Sequence, residues 1–196
     1  MEIATVIPTY PDCPDLERCL RYLSRAERYA MEIEPSWRLF HHVIYGERIG
    51  DGRAWSAERD REIARCREAA LRWGAANSKD WANMMDADVM VAEDYFVMMG
   101  NTLPQVDAKC APVVNAETGT FRFVREDFHA IWEVPRPIPI VDRTSENLMV
   151  RSSVVNRLPK PYYRMDKLNE DYELCDVLAG LGVKIWVVSG CETVST

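Results

Sequence analysis

The chain has 196 residues, 47% of them hydrophobic and 28% charged, with a net charge of −7 at neutral pH. That size and composition describe one globular unit with a true core, and the acidic balance excludes a protein that coats duplex nucleic acid, where phosphate neutralisation dominates binding. No apolar run approaches the ~18 residues that span a bilayer, and the opening Met1-Glu2-Ile3-Ala4-Thr5-Val6-Ile7-Pro8 lacks the basic-then-apolar form of a signal peptide, so no transmembrane segment and a cytoplasmic location are expected.

Ile3–Ile7 is a short, largely β-branched run stopped by Pro8, the pattern of a buried strand. Pro8-Thr9-Tyr10-Pro11-Asp12 reads as a loop, and Leu16, Cys19, Leu20 and Leu23 recur at helical spacing over about 14–29. Arg38–Tyr45 forms a second strand. Its adjacent His41 and His42 face opposite sides, so at most one would reach any given site. A glycine-rich loop over 46–52 does not match Gly-x-Gly-x-x-Gly and gives no support for a dinucleotide site. A charged helix follows over about 54–75, with Ile63, Cys66, Ala70 and Trp73 marking its apolar side and Glu68–Arg72 a favourable i,i+4 pair.

Trp81–Met85 then runs, mostly apolar, into Asp86-Ala87-Asp88. If the backbone stays near-extended past Met85, both carboxylates leave on one side. Two hard oxygen ligands at the end of a buried strand suit Mg²⁺ or Mn²⁺. The alternative is that one aspartate caps the next helix, expected over about 93–100.

Residues 105–147 are less regular. Lys109–Val114 and Thr120–Val124 read as strands, with Pro112 favouring an edge or a bulge. Ile131–Ile140 is proline-rich and extended, and Asn147–Val150 is another short strand. Glu170 and Asp171 open a helix whose apolar face is Leu174, Leu178 and Leu181, with Gly182 as its stop, before a final strand over Val183–Val188. None of the six cysteines forms a Cys-x-x-Cys pair, which argues against zinc, and a bridge such as Cys13 to Cys19 stays open.

Four segments, in order, resemble the GT-A glycosyltransferases, closest to the family-2 type, including compact members encoded by archaeal viruses. They are Thr5-Val6-Ile7-Pro8-Thr9-Tyr10, Ile63-Ala64-Arg65 with Glu68–Leu71, Met84–Asp88, and Glu170–Leu174 with Gly182 and Lys184. The resemblance implies a three-layer α/β/α GT-A fold with a mostly parallel central sheet. Residues 1–104 would form the nucleotide-sugar-binding half and 105–196 the acceptor-binding half. It implies a UDP- or GDP-sugar donor, a glycan or protein acceptor, and Mn²⁺ or Mg²⁺ held by Asp88 and Asp86. Pro8, Thr9, Tyr10, Glu47, Arg65 and Asp86 would contact the nucleotide, Asp171 would act as general base in an inverting transfer, and Glu170 would support it. If the chain is viral, the location implied is the host cytoplasm.

The chain departs from the family pattern at four points, one being that no His or Asp stands close behind the final strand to add a metal ligand. The aspartate pair usual after the second strand is replaced by Tyr45-Gly46-Glu47, Cys66 stands where Asn is usual, and Val89 follows the Asp-x-Asp. Tyr162, Tyr163 and Trp132 offer apolar walls for an acceptor, or simply core packing. Two other readings remain open here. One is a GT-A-like module that binds without turnover. The other is an Asp-x-Asp phosphohydrolase, although those enzymes usually carry the pair on their first strand.

Overall fold

The computed structural model describes residues 1–49, 56–116, 138–140, 147–162, 170–188 and 193–195. In chain order these form β1 (Glu2–Thr9), α1 (Leu16–Ile33), β2 (Arg38–Tyr45), α2 (Ala57–Asn77), β3 (Trp81–Met85), β4 (Val89–Met90) and α3 (Tyr95–Asn101). They continue with β5 (Ala108–Cys110), β6 (Val113–Asn115), β7 (Ile138–Ile140), β8 (Asn147–Arg151), α4 (Ser152–Val155), α5 (Glu170–Gly180), β9 (Ile185–Val187) and β10 (Thr193–Ser195).

The main sheet has the order β2-β1-β3-β8-β5-β9-β7. β1, β2 and β3 are mutually parallel; β8 runs against both β3 and β5; β9 is parallel to β5 and antiparallel to β7. All strands but β8 and β7 therefore point one way, so the sheet is mostly parallel, as expected. A second small sheet, β4-β10-β6, lies beyond the end of β3.

Period-2 alternation divides the core between the two faces of the sheet. Ile3, Ile7, Trp81 and Met85 pack with Leu23 and Ala26 of α1 and with Tyr95 and Phe96 of α3. Val6, Ala82 and Met84 pack with Ala70 and Leu71 of α2, Val154 of α4 and Leu174 and Leu178 of α5. Helices thus cover both faces, giving the expected three layers. The paired histidines obey the same alternation. His41 meets Glu27 of α1 at 2.9 Å, while His42 stacks on Trp73 of α2 with ring centroids 4.2 Å apart.

The buried face of α2 comprises Ala64, Cys66, Arg67, Ala70, Leu71, Gly74 and Ala75, while Ile63 and Trp73 are only half-buried. It is thus rotated from the apolar side read in sequence. Small residues set this orientation by letting the helix sit close to the sheet: a Cβ on Gly74 would lie 2.9 Å from the Ala82 Cβ.

Elsewhere Pro112 divides the strand expected at Lys109–Val114, and β5 and β6 join different sheets. The Thr120–Val124 strand lies outside the described residues. Cys13 and Cys19 are free thiols, which closes the question of a bridge between them. α5 ends as read. Gly182 takes φ +76°, Gly182 N–H donates to Ala179 O and Val183 N–H to Leu178 O, the paired bonds of a left-handed helix stop. Among the described residues no helix is long and apolar enough to cross a membrane.

Candidate functional site at the strand ends

The parallel register brings the ends of three strands to one rim. Pro8 is opposite Ile44 and Thr9 opposite Tyr45, while Val6 is opposite Met84, so Asp86 leaves β3 at the level of Pro8. Gly46 N–H donates to Thr9 O at 2.7 Å, extending the β1–β2 ladder past the strands.

Past Met85 the backbone turns rather than staying extended: Val89 N–H donates to Asp86 O at 3.2 Å. Asp86 and Asp88 are both half-buried, with buried Ala87 and Val89 interleaved. The carboxylates nonetheless share one neighbourhood. Cys19, near the start of α1, lies 3.8 Å from Asp86 O, and its thiol is pushed up to about 12, mainly by burial and then by the charges of Asp88 and Asp86. Neither aspartate caps a helix, since α3 begins at Tyr95 with Asp94 before it.

The partner of Asp86 is a residue that the sequence reading passed over. Arg67 of α2, buried in its side chain, donates to Asp86 Oδ2 at 2.7 Å. Arg65 instead forms a two-point pair with Glu62 at 2.6 and 2.7 Å on the exposed side of α2. Glu62 also accepts the N–H of Glu47 at 2.7 Å, and its carboxyl is held down to about 2, chiefly by the bonds from Arg65. The Glu47 side chain itself is exposed. The signal for Arg67 was available: Ala64, Arg67, Leu71 and Ala75 follow the i, i+3, i+4 spacing of a buried stripe, and a cation on such a stripe calls for an anion.

Of the other candidates, Tyr10 is half-buried beneath the Arg48 guanidinium, 5.6 Å from its ring centroid. Thr9 Oγ1 is buried with no hydrogen-bond partner among the described residues. Glu170 and Asp171 form the first turn of α5. The turn at 181–184 reverses the chain from α5 into β9, and β9 runs toward the same rim as β1 and β3. Tyr162 is fully buried and donates to Arg67 O at 3.2 Å, so it is core and not an acceptor wall. Tyr163 and Trp132 lie outside the described residues.

No family model matches the chain, and no curated protein does. Solved structures do. The viral protein A197 from STIV superposes with a TM-score of 0.63 at 13% identity, over 98% of this chain and 84% of that one. Residues 1–349 of S. aureus TarS give 0.57 at 12% identity, over 100% of this chain and 60% of that one. GalNAc-T7, solved with UDP, GalNAc and Mn²⁺, gives 0.54 at 12% identity, over 98% of this chain and 43% of that one. The chain has the GT-A fold.

Within this GT-A fold, a divalent cation has a defined test. Among the described residues no group of three or more His, Cys, Asp or Glu side chains could hold a metal. What the rim offers is two neighbouring carboxylates, Asp86, which accepts from the Arg67 guanidinium, and Asp88, which has interactions of its own. That set fits Mg²⁺ or Mn²⁺ of the kind that keeps several waters and takes further oxygens from substrate phosphates, not a cation caged by protein alone. The buried, unmatched Thr9 hydroxyl adds a polar group at the same strand ends.

Proposed function

We propose that the chain is a metal-dependent glycosyltransferase that moves a sugar from a nucleotide-diphosphate sugar, UDP- or GDP-linked, to a hydroxyl of a glycan or protein acceptor. The observation that carries this reading is the Asp86–Asp88 turn standing level with the ends of β1 and β2 in a GT-A fold. Ligands of open α/β sheets gather at that position. GalNAc-T7, which shares the fold, was solved with UDP, GalNAc and Mn²⁺.

In this reading residues 1–104 form the donor half and 105–196 the acceptor half. Asp88 is the principal metal ligand. Asp86, with one oxygen on Arg67, is the weaker ligand and orients the ribose. The cation, when bound, supplies Lewis-acid stabilisation of charge growing on the diphosphate. Thr9, Tyr10 and the backbone after Pro8 and Gly46 seat the base and ribose, with the exposed Glu47 in reach of either. Arg65 is bonded to Glu62, so its contribution to phosphate binding requires exchange of that pair. Asp171 takes the proton from the acceptor hydroxyl in an inverting displacement, with Glu170 beside it.

Asp88→Asn tests the donor site. Mn²⁺-dependent binding of UDP, GDP and their sugars, measured by calorimetry, should weaken at least ~10-fold while the melting temperature stays within a few degrees. Wild-type affinity in the variant removes Asp88 from the site. Metal-dependent binding by the wild type, without transfer to any acceptor in a glycan panel, favours a module that binds without turnover.

A further inference from the structure

Away from the rim, one side of α1 carries Arg21, Tyr22, Arg25, Arg28 and Tyr29, spaced three and four residues apart. Such a row is unexpected on a chain with a net charge of −7. It also borders a concavity: Tyr22, Arg25, Arg28, Tyr29 and Glu32 line a cavity of about 400 Å³ that the segment 91–93, including Glu93, completes.

The lining holds two arginines and two glutamates, so its formal charges balance, but the arginines are not tied down in ion pairs. Among the described residues no carboxylate forms an ion pair with Arg25 or Arg28, although Glu32 stands four residues after Arg28 and Glu93 lines the same space. The Arg28 Nε donates to Ser24 O at 3.2 Å, an arrangement that engages neither of its terminal nitrogens. Two guanidiniums three residues apart present a forked donor array suited to a carboxylate or a phosphate. Tyr22 and Tyr29 add ring faces with hydroxyl tips, which suit the mixed C–H and O–H surface of a pyranose. Glu32 and Glu93 are placed to accept from sugar hydroxyls. The volume falls in the range of small-ligand pockets.

We propose that this cavity is a second ligand site, separate from the strand-end rim, that takes an acidic sugar unit: a pyranose bearing a carboxylate or a phosphate. The choice of a sugar rests on the glycosyltransferase reading above; the requirement for an anionic group rests on the arginine pair. In that setting the site holds a charged residue of the acceptor glycan remote from the hydroxyl that reacts. The segment that completes the cavity begins three residues after Asp88, so a short stretch of chain joins the two sites.

The experiment is a chemical-shift titration of ¹⁵N-labelled protein with glucose, glucuronate, glucose 6-phosphate and inorganic phosphate, in wild type and in Arg25→Ala/Arg28→Ala. Both positions are exposed, so the double variant folds normally. Glucuronate or glucose 6-phosphate should shift α1 and 91–93 resonances, bind at least ~10-fold more tightly than glucose or inorganic phosphate, and lose at least ~10-fold in the double variant. Equal binding of glucose refutes the anionic requirement. Equal binding of inorganic phosphate refutes the sugar requirement. No binding, or binding only to phosphatidylserine vesicles through the same arginines, overturns the site.

UDP and GDP with Mn²⁺, titrated in parallel, separate the two readings. Sugar binding at α1 without nucleotide binding at the rim upholds this cavity and refutes the transferase. Nucleotide binding with no sugar at α1 does the reverse.

Discussion

The Arg67–Asp86 pair is where stability and the candidate site meet. The Arg67 side chain is 7% exposed and that of Asp86 21%, and they meet at 2.7 Å. Removing one partner of a fully buried pair costs about 3–5 kcal/mol, because the other charge is left without compensation. Arg67→Met removes this guanidinium from Asp86, which retains some water, so its cost should fall to about 2–4 kcal/mol. Asp86→Asn removes the charge facing the more deeply buried guanidinium but keeps an acceptor oxygen, and about 2–3 kcal/mol is expected. In the double variant neither charge is left alone, and the two losses should not add. A coupling energy of about 1.5–3 kcal/mol is expected from a charge-assisted hydrogen bond of this burial. Urea unfolding of the four proteins, extrapolated to water, measures it directly. Repeating the cycle in 1 M NaCl should change the coupling little, since a buried pair is poorly screened. A coupling below about 0.5 kcal/mol, or one abolished by salt, would assign the contact to the weak class of surface pairs and refute the argument.

Three further outcomes are expected. Gly46→Ala should lower the melting temperature by several degrees, because its Cβ would overlap the Cys66 Sγ and lie 2.8 Å from Glu62 Oε1; recovery in Gly46→Ala/Cys66→Ala confirms the cause, and an unchanged melting temperature in the single variant denies the close approach. The hydrogen bond that His41 Nδ1–H donates to the Glu27 carboxylate raises the pKa of His41 above the ordinary 6.5. Its stabilising contribution is therefore full below about 6.5 and lost as pH rises through the folded-state value, so the stability gap between wild type and His41→Gln should be wider at pH 5.5 than at pH 8.5 by thermal unfolding, and a gap independent of pH rejects the linkage. Asp171→Asn should cut kcat by ~10²–10⁴-fold and leave donor affinity within a small factor; near-normal turnover excludes it as the base, and loss of donor binding gives it a different role.

Elements whose pattern is local were legible from the sequence. β2 begins and ends where its apolar run does, at Arg38 and Tyr45, and Gly182 stops α5 because only a left-handed turn satisfies the last carbonyls there. β4, α4 and β10 were not legible. Two to four residues carry no period, and β4 exists only because Val89 and Met90 find Ser195 and Val194 as partners. At the site, Asp86 and Asp88 were readable from their position after a buried strand. Their geometry was not, since the turn at Asp86–Val89 replaces the extended chain on which the same-side argument stood. Arg65 and Arg67 show the limit of segment matching. Helical phase decides which of two nearby arginines faces the sheet, and that phase follows from the small residues Ala64, Ala70 and Gly74 packing against β1 and β3.

The pairing of β4 with β10 has a kinetic side. Val89 and Ser195 are roughly a hundred positions apart, so closing that contact carries the loop entropy that makes distant pairings late events in folding. β1, β2, β3 and the helices between them form nearer contacts and would assemble first. The strand that immediately follows the two aspartates would be fastened afterwards. Under native conditions the same order would run in reverse: partial detachment of residues 193–195 would free β4 while β1, β2 and β3 stay paired. Slow amide exchange in β1 and β3 would then coexist with faster exchange at Val89 and Met90. The carboxylates would stand at the boundary between the part of the molecule that opens only globally and the part that opens on its own.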